Sequence, residues 1–130
     1  MAFVLDQSGT YSWPVAFELP VDGGKHRRVT FEVVFNRQTQ DRVEQILAAQ
    51  QQLMRAAQRA DEDLLEKLAI GRQHAEEIMA GWTGVKATDD APDDLEFTPA
   101  NLQRFLQVPG MAAAVLKAFG ESLQLGKEKN

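Results

Sequence analysis

Two histidines, four clustered aspartates and three serines are the residues of this 130-residue chain whose types could do chemistry. His26 stands in Lys25-His26-Arg27-Arg28, and His74 precedes Glu76 and Glu77. A zinc-hydrolase helix needs two His one turn apart with a Glu between them, and neither His has such a partner. Asp89, Asp90, Asp93 and Asp94 offer carboxylates for calcium, but an EF-hand loop also needs Gly at its sixth position and Glu at its twelfth. Counted from Asp89, those positions hold Asp94 and Ala100. The cluster therefore reads as a solvated acidic loop. Ser8, Ser12 and Ser122 lie in no nucleophile motif, and no phosphate-cradling or dinucleotide-binding glycine pattern occurs. With no Cys there is no thiolate nucleophile, disulfide or cysteine metal site. The residues predict no catalytic centre, no metal site and no cofactor: a binding protein, not an enzyme.

Charge sharpens this. The net charge is −5, and residues 61–100 alone carry −8, with +1 before them and +2 after. Phosphate binding needs clustered cations, so the balance predicts no nucleic-acid partner. The one basic cluster, at residues 25–28, suits the edge of a hairpin. Hydrophobic residues make up 44% of the chain and charged residues 25%, which supports a folded core rather than disorder. No apolar run reaches the length of about 18 residues that a membrane helix needs. The opening MAFVLDQSGTYSW has no basic start or long apolar stretch, so no signal peptide is expected and residence is expected in the cytoplasm.

The elements that must position any site follow from the hydrophobic period. Residues 1–12 read as a loose arm. Val15, Phe17 and Leu19 alternate with polar positions, as do Val29, Phe31, Val33 and Phe35. Asp22-Gly23-Gly24 lies between them, and Gly accepts the positive φ of a tight turn. A β-hairpin is predicted over 13–35, with one apolar face that needs covering. From residue 38 helix formers take over. Asp41 with Glu44 suits a helix start, and Val43, Ile46, Leu47, Leu53, Met54 and Ala57 trace an apolar stripe opposite a Gln-rich face. Asp61, Glu62 and Asp63 suit the start of a second helix with Leu64, Leu65, Leu68, Ala69, Ile78 and Met79 on its apolar side, Gly71 as a bend and Gly81 as its C-terminal cap. Lys86 to Glu96 is a loop. Thr98-Pro99 starts a third helix, Val108-Pro109-Gly110 interrupts it, and Met111 to Leu123 forms a fourth, ended by Gly126. The expected fold is α+β, mainly α, in one domain over 1–130: an arm (1–12), a hairpin (13–35), a helical region of about four helices (38–124) and a tail (125–130).

The second half, read as an ordered string, resembles a known family. A helix leads into Gly81-Trp82-Thr83-Gly84-Val85. An Asp-rich loop, Phe97-Thr98-Pro99, the Pro109-Gly110 break and a Lys129-Asn130 ending follow. This is similar to the tail assembly chaperones of long-tailed phages and prophages, over about residues 61–130, and the N-terminal hairpin resembles the family too. The longer Gln/Ala-rich stretch around Ala48 to Ala60 is a departure from it. The resemblance implies a chaperone that binds the tape-measure protein and keeps it soluble while tail-tube subunits polymerise, with the tail-tube protein as a second partner. It implies absence from the finished virion, and no catalytic residue or cofactor. It also implies a longer product made by frameshifting: Leu125-Gly126-Lys127 can be encoded as CTG GGA AAG, which contains the slippery heptamer G GGA AAG.

A chaperone of a helical client needs apolar surface that takes anchors at i, i+3, i+4 and i+7. Trp82, Phe97, Leu102, Phe105 and Leu106 are the candidate partner-binding residues, because they are apolar and flank the acidic loop. Weak homo-oligomerisation is expected, since many copies would line one client. Two other functions stay open on the sequence: a tail-tube structural subunit, which would be mostly β, and a small helical interaction adaptor.

Overall fold

The computed structural model describes residues 1–59 and 62–125. Two long strands open the fold, β1 (Thr10–Val21) and β2 (Lys25–Asn36), antiparallel and in continuous register from Thr10 opposite Asn36 to Val21 opposite Lys25. The turn between them is Asp22-Gly23-Gly24, and both glycines take the positive φ that the sequence reserves for them, +83° and +72°. The strand starts earlier than the sequence predicts. Thr10, Tyr11 and Ser12 belong to β1, so the arm is 1–9 rather than 1–12.

Two helices follow, α1 (Gln40–Arg59) and α2 (Leu64–Ile78), and then a third strand, β3 (Met79–Thr83). β3 pairs antiparallel with β2, giving the order β1-β2-β3. The hairpin is therefore part of a three-stranded sheet. This strand corrects two expectations. Met79 is the first residue of β3, not the end of a helical face. Gly81 lies opposite Val34 in the ladder and does not cap α2. No loop separates α2 from β3, so the helical period runs straight into five residues of strand and conceals them. The chain ends in α3 (Pro99–Leu106) and α4 (Met111–Ser122).

Local chemistry explains most boundaries. Thr98 caps α3 by accepting the Asn101 N–H at 3.1 Å, and Pro99 fills the first helical position. Gly110, at φ +83°, turns the chain from α3 into α4. At α1 the cap is Thr39, whose hydroxyl accepts from the Arg42 N–H at 3.3 Å; Asp41 instead sits in the first turn, where it meets the positive end of the helix dipole. Asp63 stands at the N-cap of α2 without a side-chain cap bond and pairs with Lys67 at 3.3 Å. Asp61 and the expected helix end at Gly126 lie outside the described residues, as does the tail beyond Leu125.

One core draws on every element. The odd-numbered residues of both long strands face it, and α3 and α4 cover that face. Phe31 meets Phe105 edge-on at 5.7 Å, and Phe35 meets Phe119 at 5.4 Å. Tyr11 and Ser122 join their hydroxyls at 2.7 Å, fixing the end of α4 to the start of β1. α2 packs on α3 and α4, and α1 packs on α2. The α2 face is not the leucine-rich one. Gly71, Ala75 and Ile78 are buried, while Leu65, Leu68 and Ala69 are exposed. Small residues let α2 lie close to its neighbours. α2 is one uninterrupted helix through Gly71, where the sequence suggested a bend.

Candidate functional site

The five candidate residues come together. Trp82 on β3 meets Phe97 at 4.9 Å between ring centres and Phe105 on α3 at 5.0 Å. Leu102 and Leu106 lie on the same face of α3 as Phe105. Trp82, Leu102, Phe105 and Leu106 are all buried, and Phe97 is half-buried. Their contacts are thus with the protein's own core, which leaves them little area for a partner.

The acidic loop is organised around that cluster. The Trp82 indole N–H donates to the Leu95 carbonyl at 2.7 Å, and the Leu95 N–H donates to the Val85 carbonyl at 2.7 Å. The Asp94 carboxylate accepts from the Gly84 N–H at 3.1 Å, and Asp90 accepts from the Thr88 hydroxyl. Two of the four aspartates thus hold the loop's own backbone and side chains in shape. Among the described residues no group of three or more His, Asp or Glu is placed to hold a metal ion.

A large concave feature lies elsewhere. A groove of about 1380 Å³ is lined by residues of α1, α4, β1 and β2. Leu47 and Met54 of α1, Leu116 and Phe119 of α4, and Pro14 and Ala16 of β1 are among its lining residues. Its volume exceeds the roughly 300–1,000 Å³ of small-molecule pockets, and it suits a polypeptide segment. Met54 is 60% exposed and Leu47 37%, high values for apolar residues in a helix facing a core. Sequence reasoning placed both in the stripe that α1 buries, but of that stripe Val43 and Ile46 are buried, Leu53 is half-buried, and Leu47, Met54 and Ala57 are exposed, while Ala56, outside the stripe, is buried in place of Ala57. The width of the stripe was the available signal. Among the described residues the groove carries Arg28 and Lys117 against one acid, Glu121, in a chain of net charge −5.

His74 sits where α2 meets α1. Its Nδ1 is buried without a hydrogen-bond partner among the described residues. Partial burial lowers its pKa below the ordinary imidazole value, and the Arg42 guanidinium lowers it further, against a smaller opposing pull from Glu77. Arg42 is itself ion-paired to Glu77 across the two helices. This arrangement ties α1 to α2.

An open, largely apolar groove on a small sheet-and-helix fold is a shape that can take a polypeptide segment. The family model for phage tail assembly chaperones matches residues 1–130, and the chain belongs to that family. The match takes in the Gln/Ala-rich stretch of α1 as well as the motifs of the second half. Comparison with curated proteins and with solved structures finds no match. Among the described residues no helix is long and apolar enough to cross a membrane.

Proposed function

We propose that this chaperone binds the tape-measure protein and keeps it soluble while tail-tube subunits assemble around it. It acts in the cytoplasm of the host and is left out of the finished virion. The observation that carries the client reading is the open groove between α1, α4 and β1. A helix with its side chains is about 10–12 Å across, and an amphipathic one lays its apolar face into such a groove. Leu47 and Met54 provide the exposed anchors, and the glutamines Gln50 and Gln51 beside them add polar but uncharged contacts. The tail-tube protein is the second partner, met as it replaces the chaperone on the client. Trp82, Phe97, Leu102, Phe105 and Leu106 serve this binding by holding β3, α3 and the acidic loop together.

Co-expression with the tape-measure protein tests the reading. The native chain should keep the client in the soluble fraction and co-purify with it. Leu47→Asp with Met54→Asp should abolish both effects while leaving the circular dichroism spectrum unchanged. A double variant that still co-purifies with soluble client would remove the groove from client binding. A native chain that fails to bind it would overturn the function.

A further inference from the structure

Phe3, Val4 and Leu5 form an apolar segment that no other described residue covers. Phe3, Val4 and Leu5 are 79%, 65% and 86% exposed. Consecutive large apolar side chains are rarely left in water without a partner. The segment is joined to β1 at Gly9, whose carbonyl accepts from Arg37. Trp13 and Pro14, a few residues further on, line the groove. The arm is therefore tethered at the rim of an apolar groove that it does not enter. Within the arm Gln7 donates to the Val4 carbonyl at 2.9 Å and the Ser8 N–H to the Asp6 carboxylate at 3.1 Å.

We infer that the arm of one copy seats in the groove of a second copy. Phe3 and Leu5 supply the anchors, and the exposed Leu47 and Met54 receive them. Asp6, just behind the anchors, meets a groove in which, among the described residues, the cations Arg28 and Lys117 outnumber the one acid, Glu121. The contact is made by side chains and does not extend the sheet, because Pro14 and Pro20 deprive the free edge of β1 of two N–H donors. Each copy offers one arm and one groove, so association continues from copy to copy and grows with concentration. A client helix in the same groove would displace the arm; that consequence rests on the client reading, whereas the arm contact does not.

Sedimentation velocity on the full chain, without client, tests the contact by complementation. The native chain should pass from monomer to larger species as concentration rises. Phe3→Asp with Leu5→Asp (groove intact) should stay monomeric. So should Leu47→Asp with Met54→Asp (arm intact). Mixed in equal amounts, the two should form a complex of twice the monomer mass and nothing larger, because one intact arm and one intact groove remain. All four positions are exposed, and unchanged circular dichroism confirms the fold. A native chain that is monomeric throughout, an arm variant that still associates, or a mixture that stays monomeric would each overturn the proposal. Loss of tape-measure binding with intact complementation would instead sink the client reading alone.

Discussion

The indole N–H of Trp82 donates to the carbonyl of Leu95, thirteen residues on, at 2.7 Å. This bond closes the base of the acidic loop, and the ring beneath it packs on Phe97 and Phe105. Trp82→Phe would keep much of the packing and remove the donor, leaving the Leu95 carbonyl unpaired. A cost of about 1–3 kcal/mol is expected. The midpoint of chemical denaturation should fall, and amide exchange across 84–97 should quicken more than in α4. Equal acceleration in both regions would show that the bond does not hold the loop in particular.

Gly71 lies in the middle of α2, where Gly costs roughly 1 kcal/mol relative to Ala. A methyl group there would come 3.7 Å from Leu53 Cδ2 and 4.0 Å from Leu116 Cδ1, ordinary contact distances. Gly71→Ala should therefore stabilise the protein, by about 0.5–1 kcal/mol. A lower denaturation midpoint would mean that α1 and α4 press on α2 more tightly than these distances indicate.

The strong local signals were legible in the sequence. Asp22-Gly23-Gly24 marked the hairpin turn, Thr98-Pro99 the start of α3, and Pro109-Gly110 the break before α4. Each depends on backbone conformations or capping bonds that few residue types supply. β3 was not legible, because Met79 continues the period of α2 and a five-residue strand is too short to show its own. The exposure of Leu65 and Leu68 was hidden for another reason: α2 packs through Gly71 and Ala75, and close approach outweighs side-chain size. The groove could not be read because periodicity shows which face of α1 is apolar and not how much of it a neighbour covers. Trp82 and Phe105 stood out in the sequence as candidate partner-binding residues; their mutual burial depends on β3, which pairs with β2 and brings Trp82 against Phe105 of α3.

His74 makes stability depend on pH in a fixed direction. Burial and Arg42 hold its folded-state pKa below the unfolded value of about 6.5. Between the two values the unfolded chain binds more protons, so stability rises with pH and is lost as pH falls below about 6.5. His74→Gln should flatten this part of the profile. Measured denaturation midpoints from pH 7.5 down to pH 5 should decline less in the variant than in the native protein. Parallel declines would assign the acid sensitivity to other groups.

The register of β1 makes a last prediction. Gly9 accepts from Arg37 across the hairpin, so odd-numbered residues of β1 turn their backbone groups to β2 and even-numbered residues turn theirs to the free edge. Both prolines of the strand, Pro14 and Pro20, are even-numbered. They therefore break no ladder bond, and they interrupt the row of donors that a twelve-residue edge would otherwise present to another strand. Pro14→Thr with Pro20→Thr would restore both N–H groups and add a strand-forming residue at each position. The variant should fold with an unchanged sheet and then aggregate faster, seen as earlier light scattering and dye-binding β structure at the same concentration. The arm contact depends on side chains, so the monomer-to-oligomer step of the native chain should precede that aggregation and remain sensitive to Phe3→Asp. Equal aggregation rates with and without the prolines would show that the edge is protected by something other than its missing donors.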